Sequence, residues 1–299
     1  MSDAPPVQPT SASAVVDADV VDACIVCGGA YRPSKLPGLF QCENCKFISA
    51  DLSIPDEELS RLYGEDYFHG SEYLDYVAEA DSLALNFRRR ISVLEKLMPN
   101  LASAELFEIG CAYGYFLQEI APKVRKASGI DISGDAIRRA IEDQRVDAVE
   151  GNYLDTDLGR QVDVITMWDT VEHLKRPDLF LEKTAHDLRT GGLVAVTTGD
   201  IGSLNARLQS KSWRMIHPPT HLHYFSVPTM KKLLEAKGFE VIYVAHPGNS
   251  RRLRSVLYFL TALKGNKRNI YEALKDYRLF NLNFTVNLFD IMYVVARKR

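Results

Sequence analysis

From about residue 105 onward, short β-rich runs alternate with helical patterns, and no other feature constrains the fold as tightly. The strand candidates are 105–109, 127–132, 147–150, 162–168, 193–198, 239–245 and 291–296. Helical patterns fit between several of them, at 115–120, 135–142 and 177–188. Strand–helix alternation of this kind implies a largely parallel sheet with helices on both faces. Ligands of such sheets sit beyond the C-terminal ends of the strands.

The first strand runs into Glu108-Ile109-Gly110-Cys111-Ala112-Tyr113-Gly114, and a helix follows. Gly110 and Gly114 let the backbone approach a ligand closely. The helix N-terminus offers free N–H groups to a carboxylate. Asp131, at the end of the second strand, is placed to accept hydrogen bonds from ribose hydroxyls. The loop does not match the dinucleotide fingerprint G-x-G-x-x-G: Ala112 stands at the close-approach position and the last glycine is misplaced. Glu108 at the strand tip would repel a diphosphate and suits a ligand that carries an ammonium group.

Near the N-terminus, Cys24 and Cys27 form one C-x2-C pair and Cys42 and Cys45 another. Two such pairs bring four thiolates to tetrahedral spacing around zinc. Four thiolates leave no open coordination position, so the expected role is structural, in a zinc ribbon of residues 21–52 that lacks a core of its own. A redox dithiol is the alternative.

Residues 1–20, rich in Ala, Ser, Pro and Asp, read as a disordered tail. Residues 53–100 read as a helical connector and cofactor lid, with aromatics including Tyr67, then an apolar stripe through Leu83, Phe87, Ile91, Leu94 and Leu97. The run Arg88-Arg89-Arg90 within it reads as a solvated face. The net charge of −3 argues against general nucleic-acid binding. Residues 251–299, however, hold eleven basic residues against three acids, a bias that can mark a surface for anions or membranes. No run spans a bilayer and no signal peptide is evident, so the cytoplasm is the expected location.

The chain resembles the class I S-adenosylmethionine-dependent methyltransferases over about residues 60–299. The resemblance rests on the 107–114 loop, Gly129-Ile130-Asp131-Ile132-Ser133, Gly151-Asn152-Tyr153, Trp168-Asp169-Thr170-Val171-Glu172-His173-Leu174 and Gly191-Gly192-Leu193. It implies a Rossmann-like seven-stranded sheet of order 3-2-1-4-5-7-6 with strand seven antiparallel, and S-adenosylmethionine as cofactor in the domain of residues 101–299. It implies that Glu108 and Gly110 hold the methionine end, with Cys111, Ala112, Gly114, Tyr115 and Phe116 around it, and Tyr67 from the lid. Asp131 and Ile132 would meet the ribose, Asn152 and Tyr153 the adenine, and Trp168 and Asp169 the floor.

The sulfonium of such a cofactor is already electrophilic, so the protein must align an acceptor and, for a hydroxyl, remove a proton. Histidine is the usual base near neutrality, and the segment 217–226 holds His217, His221 and His223. Zinc-containing sugar methyltransferases are similar in this segment, and alignment on Tyr224-Phe225-Ser226 implies His221 as base, with His223 a second candidate and Asp169 a third catalytic candidate. Packing or substrate positioning is the competing reading of His221. Asp169, Glu172 and His173 form a D-x-x-E-H pattern that in quinone O-methyltransferases collects a divalent cation; helix capping is the plainer reading. Residues 247–289 read as a helical lid, or as a surface for a lipid-linked or phosphorylated acceptor. The expected function is methylation of a small molecule, a sugar, nucleotide sugar or glycan, on oxygen or carbon. The alternatives are an RNA methyltransferase and a non-catalytic zinc-ribbon interaction protein.

Overall fold

The computed structural model describes residues 8–9, 23–55, 77, 79–258, 261, 268–274 and 277–299. Most of the 1–20 tail, and Tyr67 with its neighbours, therefore lie outside the described residues. The cysteine module contributes three short strands, β1 (Tyr31–Pro33), β2 (Phe40–Cys42) and β3 (Ile48–Ser49). Helix α1 (Ala80–Leu97) follows. The alternating region then gives β4 (Glu105–Ile109), α2 (Tyr115–Ile120), β5 (Lys126–Asp131), α3 (Gly134–Gln144), β6 (Asp147–Glu150), β7 (Val162–Trp168), α4 (Pro177–Asp187) and β8 (Leu188–Gly199). The remainder is β9 (His223–Tyr224), α5 (Val227–Ala236), β10 (Phe239–Ala245), β11 (Asn249–Arg252), α6 (Leu253–Tyr258), α7 (Arg268–Leu274), β12 (Asn283–Val286) and β13 (Ile291–Lys298).

The main sheet has the order β10-β13-β8-β7-β4-β5-β6. Every neighbouring pair is parallel except those made by β13, which runs antiparallel to β8 and β10. This is the expected Rossmann-like order, read from its other edge. Strands β4, β7 and β8 are central and covered on both faces. Their side chains therefore form near-continuous apolar runs; all five of the β4 residues are buried. On one face Phe87, Ile91 and Leu94 of α1 pack with Phe116, Leu117 and Trp168. On the other, Phe107, Ile165 and Met167 pack with Leu181, Leu233 and Leu234.

The cysteine module is tied to this body through one shared strand. Strand β9 pairs with β3, completing a four-stranded sheet of order β9-β3-β2-β1. Phe47, fully buried, lies 5.0 Å from Phe225 and stacks on His223 at 5.5 Å. Burying one such aromatic contributes about 2 kcal/mol, and the same cluster encloses Cys24, Val26 and Cys42.

The segment expected to be a helical lid also contains a two-stranded antiparallel ladder, β11 with β12, beside the short helices α6 and α7. Phe284, Thr285 and Val286 of β12 are residue types that suit a strand. The ladder is fastened to α1: Asn86 bonds Asn249 and both backbone groups of Ser250, and Arg89 donates to Ser250 and Thr285. No helix among the described residues is long and apolar enough to cross a membrane.

Candidate functional site

The tips of β4, β5, β7 and β8 meet at one edge of the sheet, and the loop after β4 lies at its centre. Gly110 and Gly114 both hold φ of +75°. A Cβ on Gly110 would come within 2.6 Å of Thr170 Oγ1, so the loop packs directly against the turn after β7. Ala112 also holds a positive φ, +46°, in the left-handed region where glycine is at ease. A glycine would hold this position without strain. Asp131 fixes the loop: its carboxylate accepts from the Ala112 amide at 2.8 Å and from the Ser133 amide at 2.9 Å. Ile132 beside it is half exposed.

Glu108 is the unusual member. It is 2% exposed, and among the described residues its Oε2 has no hydrogen-bond partner. Burial, and then the negative charge of Asp131, push its carboxyl well above the usual carboxylate range. A buried polar atom of this kind can take its hydrogen bond from a bound ligand. An ammonium-bearing ligand with vicinal hydroxyls, as in S-adenosylmethionine, would satisfy Glu108 and use Asp131. The residues present fit that cofactor.

Other expected contacts are placed differently. Tyr153 is buried in the core: it lies between Phe107 and Phe180, and its hydroxyl donates to Asp187 at 2.8 Å. It cannot flank an adenine at the sheet edge. Asn152 is exposed, bonded to Leu154 and Asp155, and remains at the β6 tip. Cys111, Tyr115 and Phe116 are buried, and Phe116 meets Trp168 edge-to-face at 5.1 Å, so their side chains support the loop from beneath.

Asp169 follows β7 with a φ of +52°. Its carboxylate takes an ion pair from Arg90 at 3.0 Å and a hydrogen bond from Thr197 at 3.0 Å. Burial would raise its carboxyl, but the Arg90 guanidinium outweighs this and holds it below the usual range. Arg90 also lies over the rings of Phe87 and Trp168. The arginine run is therefore not one solvated face. Successive helix residues turn by about 100°, so Arg88 pairs outward with Glu119, Arg89 meets the ladder and Arg90 points inward. Its place three residues after Phe87 and four before Leu94 was the available signal.

The D-x-x-E-H stretch is a turn, not a helix, and its ligand set changes accordingly. Glu172, His173 and His221 bring one ligand atom each within 4.8 Å of one another, and Asp169 is not among them. Both histidine Nδ1 atoms face carbonyls, of Thr220 and Met215, at 2.8 and 2.9 Å. Burial pushes His173 down to about 4 and His221 further, with neighbouring His173 and His217 adding to the depression. His221 thus lies in an enclosed cluster that disfavours its protonated form. His223 is equally enclosed, between Ser49 Oγ and the Lys175 carbonyl, and has a packing role at the junction with the cysteine module.

The four module cysteines converge. Their sulfurs all lie within 4.8 Å of one another, with Cys24–Cys45 and Cys27–Cys42 each at 3.5 Å. A tetrahedron with Zn–S bonds near 2.3 Å has edges of about 3.8 Å. Two turns create the convergence: the Cys27 and Gly28 amides donate to the Cys24 carbonyl, and the Lys46 amide to the Cys42 carbonyl. The donor set fits zinc.

Residues 82–244, just over half of the chain, match the model of the family described as methyltransferase domain. The chain belongs to this methyltransferase family. A Mycolicibacterium smegmatis protein described as a probable S-adenosylmethionine-dependent methyltransferase is 28% identical over 157 residues, 52% of this chain and 59% of that protein. A ubiquinone biosynthesis O-methyltransferase of Nitrosomonas europaea is 26% identical over 120 residues, 36% of this chain and 49% of that protein. The match thus spans about half to three-fifths of these relatives. Among solved structures, the magnesium protoporphyrin IX methyltransferase of Synechocystis PCC 6803 with bound SAH shares the fold of this chain at a TM-score of 0.54, with 11% identity over 82% of this chain and all of that one.

Sequence reasoning missed four groups at this sheet edge: Arg90, Asp200, His246 and Asp290. Asp200 follows β8, His246 follows β10, and the two are paired at 2.8 Å. Asp290, before β13, accepts from Asn205, Trp213 and Arg214. None forms a contiguous motif.

Proposed function

We propose that this chain transfers the methyl group of S-adenosylmethionine to a small-molecule acceptor, a sugar, nucleotide sugar or glycan, and carries a structural zinc on Cys24, Cys27, Cys42 and Cys45. One observation carries the reading: a buried Glu108 carboxyl with an oxygen that has no hydrogen-bond partner among the described residues, one strand from the loop-clamping Asp131. When bound, the cofactor supplies an electrophilic methyl; Glu108 and Gly110 hold its amino-acid end, and Asp131 its ribose. Trp168 and Asp169 form the floor, with Arg90 fixing Asp169.

A cavity of about 210 Å³ beside this floor supports a polar ring-shaped acceptor. Asn86, Arg89, Arg90 and Asn249 offer it amides and guanidinium groups, and Tyr243 and Tyr293 offer ring walls. Tyr277, Leu279, Leu282 and Phe289 of the 247–289 segment are exposed, which supports a peripheral contact with the lipid carrier of a lipid-linked acceptor. Calorimetry with S-adenosylhomocysteine should show one site, weakened at least about tenfold in Asp131→Ala, roughly the cost of a charged hydrogen bond. No binding by the wild type sinks the reading. Metal analysis should find about one zinc per chain; none would remove the ribbon, and a second equivalent would fill the Glu172–His173–His221 cluster.

A further inference from the structure

The sheet edge holds a second histidine arrangement, unlike the enclosed one. Strands β8 and β10 point the same way, so Asp200 and His246 both emerge at the C-terminal edge that carries Gly110 and Asp169. Register places Trp168 opposite Thr197, so Asp200 follows the strand next to Asp169, one strand spacing of about 4.8 Å along the edge and two residues, about 6–7 Å, beyond it. The Asp200 side chain is 7% exposed and His246 28%. Asp200 is held rigidly: its amide donates to the Asp290 carbonyl, one carboxylate oxygen accepts from Gly202 at 2.8 Å, and the other faces His246 Nε2 at 2.8 Å. His246 Nδ1 has no hydrogen-bond partner among the described residues. The turn that follows, Pro247 to Asn249, lines the 210 Å³ cavity. His246 itself is fastened by its carbonyl, which accepts from Asn287 at 2.8 Å.

We propose that His246 is the general base for the acceptor hydroxyl and that Asp200 is its positioning residue. The proposal rests on the methyl-transfer reading and adds the group that handles the proton. The acceptor oxygen forms its bond to the methyl carbon as the carbon–sulfur bond breaks, and that electron pair stays on sulfur, leaving the neutral thioether. The hydroxyl proton moves to His246 Nδ1. The resulting imidazolium faces the Asp200 carboxylate through Nε2–H, and the proton is then lost to solvent through the exposed side of the ring. A buried carboxylate behind a half-open imidazole fixes its tautomer and stabilises the charge that forms. His221 and His173 have the reverse environment, since burial opposes a proton on both, with the His173 and His217 rings adding to it at His221 and the His217 ring at His173.

The test uses the full chain. Histidine ¹⁵N NMR at pH 8.5 should show His246 as the Nε2–H tautomer with Nδ1 unprotonated; the opposite tautomer overturns the proposal. S-adenosylhomocysteine affinity should stay within about twofold in H246Q and D200N. Methyl transfer is measured on 3,4-dihydroxybenzoate and on a nucleoside-diphosphate sugar as acceptor probes. There kcat should fall about 10²–10³-fold in H246Q and less in D200N, with KM nearly unchanged. An H246Q enzyme that keeps kcat within threefold of wild type overturns the base. A wild-type chain that fails to bind S-adenosylhomocysteine overturns the methyltransferase reading beneath it.

Discussion

The two halves of the sheet edge are built on different principles. On the β4–β5 side, one stretch of seven residues makes the turn, and one carboxylate 17 positions after Gly114 clamps it. On the β7–β8–β10 side, the polar groups come from α1, β7, β8 and β10, so Arg90, Asp169, Asp200 and His246 span more than 150 positions. The first half is a local device and the second is assembled by the fold. A local device can change one residue and keep its shape. An assembled one depends on pairs, and losing one partner strands the other.

The largest expected effect tests that dependence. Arg90 is 10% exposed and Asp169 38%, so Arg90→Met leaves a partly buried carboxylate facing Thr197 without its paired guanidinium, with only the weaker influence of Arg251 remaining. Breaking a fully buried pair costs about 3–5 kcal/mol; discounted for the exposure of Asp169, about 1–2 kcal/mol is expected in urea unfolding at pH 7. The Asp169 carboxyl is held below its unfolded value, so this contribution is present above about pH 4 and is lost as pH falls through the folded value. Wild type and variant should therefore converge in acid. A constant difference down to pH 3 would show that Arg90 acts through its rings, Phe87 and Trp168, and not through charge.

The same contrast explains what the sequence made legible. The sheet order followed from alternation of strands and helices and from the resemblance, because each strand–helix unit is short and carries its own pattern. The cofactor loop and the four cysteines were visible because their residues are neighbours in the chain. Arg90 was hidden inside a run of three arginines whose members face three directions. His246 and Asp200 are 46 residues apart, and only the antiparallel pairing of both β8 and β10 with β13 between them brings them together. Tyr153 misled for a related reason: it follows the β6 tip directly, but the one-turn helix there rotates its ring under the sheet to Asp187.

His223 provides a smaller test of where the histidine-rich segment belongs. Burial lowers its imidazole to about 4, and the Lys175 carbonyl only partly offsets that. The unfolded imidazole titrates near 6.5. Between those values the unfolded chain binds the extra proton, so stability is intact above about pH 6.5 and falls as pH drops, by up to about 1.4 kcal/mol per unit from this residue. His223→Phe can keep the stacking on Phe47 and lacks the proton site. Its stability should decline less steeply from pH 6.5 to 5 in urea titrations, whatever its absolute stability. Equal slopes would mean that the junction with the cysteine module is open to water.

The smallest effect is expected in the local half. Ala112 stands at φ +46° in a loop whose neighbours Gly110 and Gly114 are already left-handed. A Cβ is strained in that region, whereas glycine is not, although glycine gives up more chain entropy on folding. The two terms oppose each other, and relief of the strain should slightly exceed the entropy, so Ala112→Gly is expected to change stability by less than about 1 kcal/mol, in the stabilising direction. The Ala112 amide would still donate to Asp131, because the backbone supplies that bond. S-adenosylhomocysteine affinity should accordingly stay within about twofold. A large loss of affinity would show that the Ala112 methyl itself touches the cofactor, and the loop would then be as dependent on its individual side chains as the opposite half of the edge.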